Sequence, residues 1–352
     1  MTRILVQTGK ATSLNEVARQ VAYILEQKSI PYVLNRQYLT YVNYKPYFTG
    51  VIFIYPANPS YCLHWFYQYI KAKSELNENV IYYTTIEGIP KKQMIPEWVI
   101  SNVEFIACSY YVKSRLEKVG FKVVDVIHHG YPLYEVNTAL EMAKKYRKVI
   151  ESNFKGKVIF GFVGDFVFRK GIEKLIEAIK ILSSKRKDFH VLLITKNTIL
   201  KYIRDVPNIS LVSEFGIRDH VEIMGFYKSI DYLIIPSLAE GFGLPLLEAN
   251  ALGTIAIINK LPPFEEFSDM KNNIVFDYTN VHYIDRQEGI LYEIFDYNIK
   301  ELVNAIDYAI DIKLKYSSYY EDRKVKVQEH VKNLTSEKQY DKLVSKLKIK
   351  EK

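Results

Sequence analysis

The sequence predicts an α/β protein made of two doubly wound domains in tandem, and three observations carry that expectation. Short apolar runs alternate with helical patterns almost from end to end, as in parallel sheets covered by helices on both faces. The 352 residues are enough for two domains of ordinary size. One junction, residues 231–253, reads as strand, glycine loop and helix, the way ligand-binding crevices of α/β sheets are built.

In the first half, strand-like runs occupy residues 4–8, 31–34, 51–55, 80–84, 104–107 and 122–127. After the Gly9 loop, Ser13-Leu14-Asn15-Glu16 has the spacing of a capping box that would open the first helix. In the second half, strand-like runs occupy residues 158–163, 190–195, 209–212, 221–224, 232–235 and 254–258. Between the halves lies a polar, helix-prone stretch ending in Lys155-Gly156-Lys157, where the domain boundary is expected. The expected division is therefore 1–150, 151–315 and a helical tail 316–352, long enough to return to the first domain. Two such domains facing each other would place a site in the cleft between them.

Composition narrows the function classes. Hydrophobic residues at 48 % and charged residues at 25 % are those of a globular protein. No apolar stretch approaches the ~20 residues needed to span a bilayer. The opening residues Met1-Thr2-Arg3-Ile4-Leu5-Val6 lack the apolar core and cleavage site of a signal peptide, so a cytoplasmic protein is expected. Cys62 and Cys108 are too few and too far apart for a disulfide framework or a thiolate metal site. Of the net charge of +8, residues 323–352 carry +6, with ten Lys/Arg against four Asp/Glu. There Tyr340, Leu343, Val344 and Leu347 are spaced for one helical face and Lys338, Lys342, Lys346 and Lys350 for another. Such a helix fits peripheral contact with an anionic membrane surface at the inner face, or, as the plainer alternative, packing of its apolar face on the protein. No nucleic-acid signature is present, and no nucleic-acid partner is expected.

The run Glu240-Gly241-Phe242-Gly243-Leu244-Pro245-Leu246-Leu247-Glu248 carries the most chemistry. A helix that starts after glycines presents unpaired N–H groups and a positive dipole end to an anion, and Pro245 suits the first turn, where its missing N–H costs nothing. Carboxylates do not bind phosphate. Glu240 and Glu248 on either side of an anion site therefore point to a ligand with hydroxyls beside its phosphates, as in a nucleotide sugar. The dipole alone would also favour Glu248, taken as a first-turn residue, and Glu240 also reads as a plain loop residue. A second constellation is Gly161-Phe162-Val163-Gly164-Asp165-Phe166-Val167-Phe168-Arg169-Lys170-Gly171, followed by a helix from Ile172. Cations at a helix start oppose its dipole by roughly 0.3–1 kcal/mol each. Arg169 and Lys170 are easier to understand there if a diphosphate lies in front of them, with a solvated basic loop as the alternative.

Three blocks resemble glycosyltransferase family 4, the group 1 retaining glycosyltransferases of GT-B fold. They are the stretch from Gly161 to Ala178, the stretch from Asp231 to Ile258, and Ala107-Cys108-Ser109 together with Ile127-His128-His129-Gly130. The resemblance implies that Glu248 holds the nucleotide ribose and Glu240 the donor sugar hydroxyls. It implies that Lys170 neutralises the diphosphate, and that Gly164 in the glycine loop and the backbone of Gly241, Phe242, Gly243 and Leu244 meet the donor. Where the family often has a basic residue after the loop glycine, this chain has Asp165, and Arg169 is the substitute candidate. Where the family often has a histidine before the serine helix, this chain has Tyr83-Thr84-Thr85-Ile86-Glu87-Gly88, which makes Glu87 the candidate at the sugar. Gly9 and His129 are further cleft candidates, and His128 and His129 read equally well as structural.

The function so implied is retaining transfer of a sugar from a nucleotide-diphosphate sugar to an acceptor hydroxyl on a glycan, lipid or protein. Neither a metal nor a bound cofactor is implied. A nucleotide-sugar epimerase on the same fold and an inactive sugar-nucleotide binding module are the alternatives. A dehydrogenase is disfavoured, because Thr8-Gly9-Lys10-Ala11-Thr12-Ser13 contains a single glycine after the first strand.

Overall fold

The structure, a computed structural model, describes residues 3–9, 11–38 and 43–348. Lys10 and Lys350 lie outside the described residues. The chain forms two compact units. The first comprises residues 1–132, 283–293 and 334–352, and the second residues 133–282 and 294–333.

The first unit contains strands β1 (Ile4–Thr8), β2 (Tyr32–Asn35), β3 (Gly50–Ile54), β4 (Val80–Thr84), β5 (Gly88–Pro90), β6 (Glu104–Ala107) and β7 (Lys122–Val126). Six of them make a parallel sheet in the order β2-β1-β3-β4-β6-β7. Helices α1 (Thr12–Gln27), α2 (Pro59–Glu75), α3 (Glu97–Asn102) and α4 (Tyr110–Glu117) connect them. β1, β3 and β4 are buried along their whole length, which is why they read as unbroken apolar runs. Phe53, Phe66, Tyr82, Phe105 and Phe121 interlock edge-to-face and stacked in the core behind them. The expected capping box at Ser13 does not form. α1 starts at Thr12 with Ala11 as its cap, Ser13 lies inside the helix, and Glu16 pairs with Arg19 instead.

The second unit contains α5 (Val136–Asn153), β8 (Val158–Val163), α6 (Ile172–Ser183), β9 (Phe189–Ile194), α7 (Leu200–Ile203), β10 (Ile209–Ser213), α8 (His220–Ser229), β11 (Tyr232–Ile235), α9 (Leu244–Ala251), β12 (Ile255–Asn259), α10 (Pro262–Glu265) and β13 (Ile274–Phe276). Its sheet is also parallel, in the order β10-β9-β8-β11-β12-β13. Residues 221–224, expected as a strand, belong to α8. The capping box of Asp219 and Glu222 starts a helix there, and four apolar-rich residues alone do not tell strand from helix. The unit boundary falls between Pro132 and Leu133, upstream of the position expected near residue 150, because α5 packs along α8 and belongs with the second unit.

Strands β14 (Asn280–Asp285) and β15 (Ile290–Asp296) were not anticipated from the sequence. In the first unit β15 runs antiparallel to β5, and Arg115 grips Glu293 at 2.5 Å. Helices α11 (Ile299–Lys315), α12 (Ser317–Val331) and α13 (Ser336–Val344) close the chain. α12 stays with the second unit, where the Tyr320 hydroxyl donates to the Asp231 carbonyl at 2.9 Å. α13 lies in the first unit, with Tyr340, Leu343, Val344 and Leu347 all buried. The apolar face of this basic helix therefore packs on the protein, and it is not available to lie in a membrane surface as one sequence reading had it. No helix among the described residues is long and apolar enough to cross a membrane.

Candidate active site

The strand order of the second sheet reverses between β8 and β11, and the loops that leave their carboxyl ends lie at that switch point. After β8 the chain passes Gly164, makes a 3-10 turn over Phe168–Lys170, and enters α6 through Gly171. Arg169 and Lys170 thus stand on the turn before the helix rather than in its first turn. Gly171 has φ +66°, and an added Cβ would fall 1.9 Å from the carbonyl oxygen of Pro236. Only glycine allows the two loops to approach this closely. The Leu238 N–H donates to the Arg169 carbonyl at 2.7 Å, and the Tyr297 hydroxyl donates to the Pro236 carbonyl at 2.9 Å.

This seam brings the charged groups together. Lys170 Nζ lies 2.6 Å from Glu240 Oε1, and Arg169 lies 3.4 Å from Glu240 Oε2. The Ser237 hydroxyl donates to Glu240 Oε1 at 2.7 Å. Burial by itself would raise the Glu240 carboxyl, but Lys170 and Arg169 outweigh it and hold the group below the usual carboxylate range. Asp165, where the family often has a cation, is paired with Lys196 at 2.9 Å.

From Glu240 the chain turns into α9. Gly243, at φ +110°, caps the helix, and a Cβ there would strike the Phe264 ring at 2.4 Å. The Phe242 ring is buried against Phe267, with centroids 4.3 Å apart, so its backbone and not its ring is what the loop offers a ligand. Leu244 and Pro245, at the helix start, are partly exposed, and Pro245 sits in the first turn as the sequence indicated.

Glu248 is the fifth residue of α9, beyond the first turn where the sequence reading put it, so the helix dipole is a weaker reason for its presence. It is 3 % exposed. Its Oε1 lies 2.9 Å from His220 Nε2, and His220 Nδ1 lies 2.7 Å from Glu135 Oε2. Neither His220 nor Glu135 was singled out from the sequence. Asp219-His220-Val221-Glu222 does carry a helix-start signal that locates His220, but no sequence pattern pairs it with Glu248.

The remaining candidates belong to the first unit. Glu87 is half-buried between β4 and β5, and its carbonyl accepts from the Glu293 N–H at 3.4 Å. Gly9 follows β1 and abuts the Tyr55 ring, where a Cβ would come within 3.1 Å. His129 is not on an open face. Its Nδ1 lies 3.0 Å from the hydroxyls of both Tyr83 and Tyr340, inside the unit. Burial, and then the neighbouring His128, push its pKa down to about 3. Gly130, next to it, packs against the backbone of Thr335 and Ser336 so closely that a Cβ would lie 2.4 Å away, which seats the start of α13. His129 and Gly130 are therefore packed within the first unit.

The sequence profile described as glycosyl transferases group 1 matches residues 143–326, which include both charged constellations. This chain belongs to that family. The family model thus spans the later part of α5, the sheet of the second unit and most of α12. Glycosyltransferase 335 of Sulfolobus islandicus rod-shaped virus 1 is 29 % identical over 270 residues, covering 75 % of this chain and 78 % of the viral one. Among solved structures, a glycosyltransferase from Rickettsia africae superposes with a TM-score of 0.70 at 16 % identity, over 99 % of this chain and 98 % of the other. Anabaena HepE in complex with UDP-glucose superposes with a TM-score of 0.66 at 14 % identity, over 99 % of this chain and 100 % of the other. These likenesses show the GT-B architecture of two doubly wound domains. They favour glycosyl transfer over the epimerase and binding-module alternatives.

Proposed function

We propose that the second unit binds a nucleotide-diphosphate sugar and that the enzyme passes the sugar to an acceptor hydroxyl with retention of anomeric configuration and without a metal ion. The observation that carries this reading is the convergence of Arg169 and Lys170 on one loop carboxylate beside the start of α9. That HepE was solved with UDP-glucose supports a nucleotide sugar as the donor class.

In this reading a bound diphosphate takes Arg169 and Lys170 as its counter-charges. Glu240 is then released from their competition and turns to the sugar hydroxyls. The glycosidic C1–O bond breaks as the acceptor oxygen bonds to C1 on the same face, and the acceptor proton passes to the departing phosphate oxygen. Negative charge grows on that phosphate as the bond breaks. Fixed cations and the N–H groups of Gly241, Phe242, Gly243 and Leu244 stabilise it without reorganisation. Gly164 lies on the loop after β8 beside the Lys170 stem, where an added Cβ would meet the Phe162 ring at 3.3 Å and Lys170 Cδ at 3.8 Å. Glu248 receives the ribose hydroxyls. The acceptor is a glycan, lipid or protein, and its recognition is proposed for the first unit, which lies largely outside the family match. A cytoplasmic enzyme belongs to the same proposal.

Transfer assayed with a panel of nucleotide sugars in excess EDTA tests it. Activity is expected to persist, the product to keep the donor's anomeric configuration by NMR, and Lys170→Ala to lower kcat by about 10²–10³. Complete loss in EDTA that Mg²⁺ or Mn²⁺ restores would refute the electrostatic role of Arg169 and Lys170.

A further inference from the structure

Glu248 is a carboxylate buried to 3 % exposure, on the second turn of its helix, within a largely apolar run. Such a group needs a specific partner to stay ionised and in one rotamer. The structure supplies one from another helix. His220 is the first residue of α8, and the capping box of Asp219 and Glu222 fixes the turn from which it projects. The Asp219 N–H donates to Glu222 Oε2 at 3.1 Å, and Glu222 Oε1 is itself held by the Tyr146 hydroxyl from α5 at 3.1 Å. The ring bridges Glu248, at 2.9 Å, and Glu135, which caps the start of α5, at 2.7 Å. Ionised carboxylates only accept hydrogen bonds, so both contacts are made when the ring carries a proton on each nitrogen.

We infer that His220 is a positioning residue for the nucleotide ribose: with Glu135 behind it, it holds the Glu248 carboxylate in the rotamer that receives the ribose diol. This rests on the reading of Glu248 as the ribose ligand. It predicts that His220 governs recognition of the sugar hydroxyls of the nucleotide and not the transfer step. Glu135 acts one step further back, by fixing the ring.

The test is calorimetric titration with UDP, GDP, ADP and CDP, followed by the 2′,3′-dideoxy form of whichever binds, on the wild type and on His220→Gln, His220→Ala, Glu135→Gln, Glu248→Gln and the His220→Ala/Glu248→Gln double variant. The wild type should bind the ribonucleotide at least tenfold more tightly than the dideoxy form, since the diol contacts are charge-assisted. His220→Ala should shrink that ratio to within about twofold and raise the donor KM about tenfold, with kcat changed less than about threefold. His220→Gln should restore part of the ratio, because its amide can donate to Glu248, and the double variant should be no worse than Glu248→Gln alone. Additive losses in the double variant, or an unchanged ribo-to-dideoxy ratio in His220→Ala, would overturn the inference while leaving the ribose role of Glu248 standing. An unchanged ratio in Glu248→Gln, or no nucleotide bound by the wild type, would sink the ribose reading itself and the inference with it.

Discussion

Replacing Glu240 by glutamine removes one charge from the seam between the β8 and β11 loops while keeping its shape. In the folded protein that carboxylate answers Lys170 at 2.6 Å and Arg169 at 3.4 Å, and also accepts from Ser237. Glutamine keeps an oxygen for Ser237 but leaves two cations facing a neutral amide. Removing one partner of a fully buried pair costs about 3–5 kcal/mol. The Lys170 and Arg169 side chains are 18 % and 22 % exposed, so water relieves part of the loss and about 2–3 kcal/mol is expected. For a domain of about 150–250 residues, each kcal/mol moves Tm by about 2–4 °C, which gives a fall of about 5–10 °C. The pH dependence has a definite sign. The folded Glu240 carboxyl is held below its ordinary value, so its contribution is complete above the unfolded carboxyl's pKa of about 4.3 and fades as pH falls through the lower folded value. Thermal denaturation of the wild type and Glu240→Gln between pH 7 and pH 3 should show a gap at neutral pH that narrows in acid. A gap smaller than about 1 °C at pH 7, or one that widens on acidification, would refute the reasoning.

Other substitutions probe the rest of the architecture. Gly171→Ala combines a left-handed backbone with a Cβ 1.9 Å from the Pro236 oxygen; it should destabilise by more than about 2 kcal/mol and separate the two loops, read as a lower Tm and lost activity. Glu248→Gln should weaken nucleoside diphosphate binding by about 1.5–3 kcal/mol in calorimetry, with secondary structure by circular dichroism unchanged. His129 has a folded pKa of about 3 against an ordinary value near 6.5, so the unfolded chain binds the extra proton first and stability should drop by about 2 kcal/mol from pH 6.5 to 5; His129→Gln should lose that slope in chemical denaturation, and an unchanged slope would exclude His129 as its source. Leu343→Ala, in the fully buried face of α13, should cost about 2–5 kcal/mol in denaturation and leave binding to anionic vesicles unchanged.

Much of the fold was legible because parallel sheets bury both faces of their strands. Runs such as Val158–Val163 and Tyr232–Ile235 are apolar at nearly every position and stand out between amphipathic helices. Glycines at forced backbone positions, Gly171 and Gly243, marked the loops of the second unit, and the charged residues beside them pointed to the candidate chemistry. What escaped was set by partners far away in sequence. β14 is mostly exposed, and β15, though largely buried, has its apolar run broken by Glu293. The region around Val221 is a helix because Asp219 and Glu222 cap it, which overrides the strand-like look of its first residues.

The same division holds at the site. The sequence by itself marked two carboxylates, two cations and a glycine-bounded helix start as one candidate site, because spacing within a loop–helix unit is local and a few residues define it. Only the tertiary structure decided that Lys170 and Arg169 meet Glu240, that His220 joins Glu248 to Glu135, and that His129 and the basic α13 are closed inside the first unit. Those pairings bring together residues from separate crossovers, and their partners are chosen by the strand order at the β8–β11 switch point and by helix packing. Local propensity encodes neither.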